Sequence, residues 1–563
     1  MKQHELIHAA LTGKATLVIK DANVVNVFTG EIIRGDVALY EDTIIGVGQY
    51  SCQHEIQANG AYLCPGFIDG HVHIESSMVI PESFARVVMP HGTTTIIADP
   101  HEIANVAGVA GVRAMYKLTD DLPLRVMFMM PSCVPATPFE HSGAELVAED
   151  MEQFIHKSRI LGLGEVMDYV STVNGSKEML DKLRLFEGKP IDGHAPLLSG
   201  MELNAYRVAG PSTDHECSNF EEVLEKLRTG MRIMIRVGSA ANGIEELLRK
   251  IVENKLPTDN MFFCTDDKHL ENIRSEGHIN CIAALAVRCG IPPVEAVRMA
   301  SYNAARAYGL RNIGAIAPGY KGDMVLFEDL KDFKALQVFT RFGKPYDPGF
   351  TMTAPILPPA VYNSVRLGRL YAADLALKAK EVMPVIGLTE GQLVTRRLDR
   401  KVQRDAQGFF QPDGKLNKLA VIERHHRTGS IGLGIVEGLN IHNGAIASTV
   451  AHDSHNLVIA GDNDRDMLMA AEALQECGGG FCVVSQGIVL ARLPLPIAGV
   501  MTDAPVEDVL ARQQALLGAA ASIGCSGQSD PLVTLSFLAL PVIPDIRLTD
   551  EGLFDVTTMS FIK

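Results

Sequence analysis

Short runs of β-branched and aliphatic residues, broken by turn residues, open the chain: Thr16–Ile19, Asp36–Tyr40 and Thr43–Val47. Runs of this length and spacing predict a small antiparallel sheet. From Cys64 the rhythm changes, and apolar runs alternate with amphipathic segments. Eight strand candidates follow: Gly66–His73, Thr94–Asp99, Leu124–Met130, Ile160–Val166, Pro190–His194, Pro211–Glu216, Arg232–Gly238 and Met261–Asp266. Between them, Phe220–Leu227 and Ile244–Val252 carry apolar residues at helical spacing. Eight buried strands alternating with helices predict an α/β fold, a (β/α)8 TIM-like barrel, whose usual size is about 250 residues. The sixth candidate, with its Pro and Thr, is closest to a loop in composition.

After the barrel, Asn312–Phe327 again reads as short strands with Gly and Pro turns. It is expected to complete the N-terminal sheet, leaving the barrel inserted in a small β-sandwich domain. The predicted division is residues 1–63 and 306–380 for the two halves of the β domain and 64–305 for the barrel. Residues 381–563 then form a C-terminal α/β domain.

Composition narrows the functional classes. The 563 residues are 47% hydrophobic and 21% charged, enough to fill more than one core. A net charge of -16 argues against nucleic acid or an anionic membrane as partner, since both reward basic patches. Neither a signal peptide nor an apolar run long enough to span a bilayer is expected. The ten cysteines include no C-x-x-C pair, which fits reduced thiols and a cytoplasmic location.

Ligand-type residues recur at the C-terminal ends of the predicted strands, where a barrel gathers its active site. The first strand ends in Asp69-Gly70-His71-Val72-His73-Ile74-Glu75 and the fourth in Gly164-Glu165-Val166-Met167-Asp168. The fifth ends in Asp192-Gly193-His194-Ala195, the sixth in Thr213-Asp214-His215-Glu216, and the eighth in Cys264-Thr265-Asp266-Asp267. Residues two apart on a strand share a face, so His71 and His73 can reach one metal ion. Any one of these histidines could equally be a hydrogen-bonded core residue. Four histidines and two carboxylates at strand ends together point to a metal centre.

Pro65-Gly66-Phe67-Ile68-Asp69-Gly70-His71-Val72-His73 resembles the first-strand signature of the amidohydrolase superfamily, and Pro318–Asp323 resembles its closing β segment. Further stretches resemble the adenine deaminase family within it. These are His73–Met78, Asp99–Val106, Gly164–Asp168, Asp192–Pro196, Leu203–Tyr206 with Thr213–Glu216, Cys264–Asp267 and the C-terminal run Leu535–Gly552. The resemblance implies that His71, His73, His194 and His215 bind metal, with Glu165 bridging two ions where many relatives use a carboxylated lysine. It also makes Asp266 both a ligand and the acid/base. Two divalent ions are implied, Mn or Fe(II) ahead of Zn. The implied reaction is hydrolytic deamination of adenine to hypoxanthine and ammonia by a metal-bound hydroxide, as in purine salvage, in a homo-oligomer expected to be a dimer.

Other residues keep open assignments. Glu75, Asp99, His101, Glu102, Ser132 (with Cys133), Arg236 and Ser239 are candidates to contact substrate; Asp99, His101 and Glu102 could instead hold an auxiliary metal or form structural ion pairs. Glu423-Arg424-His425-His426 and His452-Asp453-Ser454-His455-Asn456 admit a second metal site, hydrogen-bonded turns, or a cap over the barrel mouth. The rival activities are another cyclic amide or amidine hydrolase and a catalytically silent scaffold.

Overall fold

The computed structural model describes residues 2–239, 243–353, 355–389, 392, 394–525 and 530–562. A strand forms at each of the eight predicted positions. These are β1 (Phe67–Val72), β2 (Thr93–Ala98), β3 (Arg125–Met130), β4 (Ile160–Val166), β5 (Ile191–Gly193), β6 (Thr213–Asp214), β7 (Arg232–Arg236) and β8 (Met261–Cys264). They run parallel in two ladders, β5-β4-β3-β2-β1 and β6-β7-β8. The seams close through the backbone of the functional segments. Asp266 N–H donates to the His71 carbonyl at 2.9 Å, and His73 N–H to the Asp266 carbonyl at 3.1 Å. At the other seam, Ser212 N–H donates to the Ile191 carbonyl at 2.9 Å.

β6 is only two residues long because Pro211 ahead of it has no N–H to give the ladder. Its neighbour β5 is nearly as short, and side chains take over the pairing. Gly193 N–H donates to Thr213 Oγ1 at 3.3 Å, and Thr213 Oγ1 donates to Asp192 Oδ1 at 2.7 Å.

The β domain is one mixed seven-stranded sheet rather than two separate layers. Met324–Phe327 pairs antiparallel with Tyr62–Pro65, so the chain after the barrel does complete the sheet begun before it. The sheet curls until residues of both ends, such as Leu39 and Ile44 with Met324 and Phe339, share one core. That shared core gives it a sandwich-like interior.

The C-terminal region is built on an eight-stranded sheet running from Arg396–Lys401 at one edge to Ile488–Pro494 at the other, with the helix Asp464–Cys477 on one face. Strand alternation sorts its residues. Ala420 and Ile422 pack with Met467 and Leu474 of that helix, while Leu419 and Val421 join the large core that also contains the barrel. Leu367 and Leu375, within the stretch 306–380 expected to belong to the β domain, pack in the helix-side core of this C-terminal sheet. Backbone bonds tie the region to the barrel, from Ile80 N–H to the Thr502 carbonyl at 3.0 Å and from Thr502 N–H to the Met78 carbonyl at 2.9 Å.

Truncation after Lys380 is therefore expected to destroy activity, because it strips one side of a common core. Ammonia release by the shortened protein checks this, and a soluble, active truncation would make the region an accessory.

Candidate active site

His71, His73, Glu165, His194, His215 and Asp266 converge at the C-terminal end of the barrel. The two oxygens of Glu165 face two different donor sets. Oε1 lies 3.5 Å from His71 Nε2 and 3.2 Å from His73 Nε2, and Asp266 Oδ1 lies 3.4 and 3.1 Å from the same two nitrogens. Oε2 lies 2.8 Å from His194 Nδ1 and 3.3 Å from His215 Nε2, and those two nitrogens are 3.3 Å apart. Metal–donor bonds of about 2.1 Å at angles near 90–110° would set donors roughly 3.0–3.4 Å apart. Both groups have nearly that spacing, and the imidazole–carboxylate mixture suits a divalent ion.

The electrostatics agree. Burial alone would raise the Glu165 carboxyl, but hydrogen bonds from His101, His194, His215 and His71 hold it well below the carboxylate range. Burial is likewise outweighed at Asp266, chiefly by the Arg236 guanidinium and then by His71 and His73. Burial lowers the His71 imidazole, yet Asp266 and Glu165 push it up to about 10. The carboxylates thus hold protons where cations would sit, and metal binding would release them.

Neighbouring groups aim the donors. The Asp99 carbonyl can only accept, so His73 Nδ1–H donates to it at 2.8 Å and Nε2 keeps its lone pair for the cage. Asp99 Oδ2 accepts from Glu165 N–H at 3.0 Å, and Ser132 Oγ donates to the Glu165 carbonyl at 2.5 Å. A Cβ at Gly164 would collide with the Asp99 carboxylate, so glycine is needed there. Asp266 itself has φ 56°, a left-handed backbone uncommon outside glycine, locked by its bonds to β1.

A cavity of about 440 Å³ opens onto the cage. Of the predicted contact residues, His101, Glu102, Arg236 and Ser239 line it. Glu75, Asp99 and Ser132 are buried outside it. Glu75 accepts from Ile103 N–H at 3.2 Å in the first turn of the helix His101–Leu118, and so fixes that helix start. Asp99 and Ser132 act on the Glu165 backbone instead. Ser239 donates to Asn272 Oδ1 at 2.8 Å on the cavity rim. Arg236 Nη1 is 2.6 Å from both Asp266 Oδ2 and Glu216 Oε1.

The roof comes from the C-terminal region. Val394, Val533, Phe537, Leu540, Val542 and Ile543 supply apolar wall, and His452 and Asp453 reach in from the loop after Gly444–Ser448. His101 Nε2 is 3.8 Å from Asp453 Oδ1, and His452 Nδ1 is 2.5 Å from Glu102 Oε1. The 452–456 loop is therefore part of a cap. The Glu423–His426 cluster forms a hydrogen-bonded turn, with Glu423 accepting from His426 and Thr428 N–H at 2.6 and 2.8 Å. Its neighbours brace the cap: Arg424 donates to the His455 carbonyl, and His425 Nε2 is 2.8 Å from the Ser454 carbonyl.

Sequence reasoning did not single out Glu216, Asp69, Asp192 or Asp214 for a role. Asp69 accepts from Thr265 N–H at 3.0 Å and Asp214 from Ala195 N–H at 3.0 Å, so each pins the ligand-bearing backbone of a neighbouring strand. For the three aspartates the signal was present as an acidic residue one or two positions before His71, His194 and His215.

The amidohydrolase family matches residues 62–353, and the adenine deaminase C-terminal domain matches residues 392–560. An adenine deaminase 2 from Carboxydothermus hydrogenoformans is 46% identical, over 99% of this chain and 98% of that protein. An adenine deaminase from Desulfitobacterium hafniense is 43% identical over 98% and 96%. One from Clostridium acetobutylicum is 45% identical over 99% of each chain. With barrel and roof both matched at this identity and nearly end to end, the chain belongs to the adenine deaminase family of amidohydrolases.

Proposed function

We propose that the protein hydrolyses adenine to hypoxanthine and ammonia. The observation that carries this reading is Glu165, which presents one oxygen to each of two donor sets at the floor of a cavity with an apolar roof. His71, His73, Asp266 and Glu165 Oε1 would hold one divalent ion; His194, His215 and Glu165 Oε2 would hold the other. Mn or Fe(II) is favoured over Zn by the family. When bound, the ions supply a water of lowered pKa and a Lewis acid.

The chain's own residues do the rest. Asp266, kept ionised by Arg236, takes a proton from the attacking water and passes it toward the ring nitrogen or the departing ammonia. The apolar roof takes the flat face of the base and keeps bulk water out. Water and adenine are thereby converted to hypoxanthine and ammonia with no other reactant. The glutamate on β4 and the C-terminal region favour this substrate over other cyclic amides and amidines. No helix among the described residues is long and apolar enough to cross a membrane. Cytoplasmic residence and a homodimer complete the proposal.

The test is an ammonia-release screen over purines, with protein stripped by chelator and reloaded separately with Mn, Fe(II) or Zn. The stripped protein is expected to be inactive and the reloaded protein to act on adenine. Release from no purine would turn the reading to a silent scaffold. Free adenine is also expected to react far better than adenosine, since the relatives that match this chain nearly end to end are adenine deaminases. Comparable kcat/KM for the two would show a site open on the ribose side.

A further inference from the structure

Two side chains from opposite ends of the chain meet at the cavity wall. Glu102 belongs to the first turn of the helix that follows β2, and His452 to the C-terminal cap. Both are buried, and Glu102 Oε1 lies 2.5 Å from His452 Nδ1. The other oxygen of Glu102 rests against His455 Nε2. His455 Nδ1 accepts from Ala451 N–H at 3.1 Å, so its Nε2 carries the hydrogen that faces this oxygen. Glu102 thus faces both imidazoles, and its Oε1 holds the His452 ring in one orientation. Phe537 holds it from the side, stacked at 4.5 Å between ring centroids and 18° between planes.

The remaining nitrogen of this ring, Nε2, has no hydrogen-bond partner among the described residues, while the ring lines the cavity above the cage. A carboxylate that orients one imidazole nitrogen prepares the other for work on a bound molecule. Val533, Phe537 and Leu540 give a flat heterocycle an apolar surface beside this ring.

We propose that His452 is a substrate-contacting residue, held by Glu102, whose Nε2–H donates a hydrogen bond to a ring nitrogen of the bound purine. This rests on the adenine reading above and extends it, because it makes the C-terminal domain a direct part of the binding site. Glu102 is then a positioning residue that acts through His452. The Glu102 carboxylate also lifts the imidazole to about 9 against the effect of burial, which keeps Nε2 a donor at neutral pH.

The test uses full-length, metal-loaded protein with His452→Ala and His452→Gln, measuring metal content, kcat, KM and calorimetric binding of adenine. His452→Ala is expected to lower kcat/KM and adenine affinity by about tenfold to a hundredfold, the range for a hydrogen bond from a charged donor. Metal content should stay at the wild-type value. Added imidazole should restore part of the loss, since the vacated space opens to the cavity. Where His452→Ala does not fold, His452→Gln, which keeps an amide donor, should show a smaller loss carried mainly by KM.

Adenine affinity within twofold of wild type in the folded variants would overturn the contact, as would a loss that tracks lost metal. The binding measurement separates the two readings. Wild-type protein that binds adenine but releases no ammonia would refute the deaminase reading while still reporting on His452.

Discussion

Glu165→Gln is expected to lower the metal content from two ions toward one per chain and to abolish deamination, with the fold intact. Two nearby cations repel, and the carboxylate offsets this with an anionic oxygen for each donor set. The amide keeps the shape but replaces one of those oxygens by an NH2, which cannot coordinate. Only Asp266 is anionic among the remaining five cage residues, which is too little charge for a 2+/2+ pair. The Glu165 backbone is held by Asp99 and Ser132 independently of its carboxylate, so the strand end should stay in place. Metal analysis of the purified variant decides the matter, and two tightly held ions with normal turnover would remove the bridge.

Asp266→Asn should keep most of the metal and lower turnover about a hundredfold or more, since general acid–base catalysis is typically worth about 10²–10⁴-fold. Asp266 splits its oxygens between the His71/His73 side of the cage and Arg236. An amide retains an oxygen for the cage but can no longer carry the proton between water and leaving group. The comparison must be made on metal-replete protein at matched stoichiometry. Near-normal kcat there would take Asp266 out of the proton transfer.

Both variants rest on strand ends that were legible in the sequence, whereas other parts of the site were not. The strand ends could be read because barrel geometry makes local spacing meaningful: alternation puts His71 and His73 on one face, and parallel strands put their C-terminal ends at one mouth. Even β6, reduced to Thr213–Asp214, kept its histidine in the expected place. Asp99, Glu75 and Ser132 carried the right chemistry at the right strand ends, yet spacing does not show whether a polar side chain turns to a cavity or to a neighbouring backbone amide. The cap was the least legible. Glu102 and His452 are 350 residues apart, and no periodicity links a barrel helix to a loop in another sheet. Likewise, Leu367 and Leu375 have no local mark of the core they join.

The roof has a consequence for when the protein becomes an enzyme. Val533–Ile543 is made roughly 270 residues after Asp266, which at ordinary synthesis rates of about 5–20 residues per second is on the order of tens of seconds. During that interval the donors at the barrel mouth have no cover, and ions can reach them unhindered. The roof then arrives as the last wall of the chamber. An ion supplied during synthesis is therefore expected to enter the site more readily than one added to the finished chain.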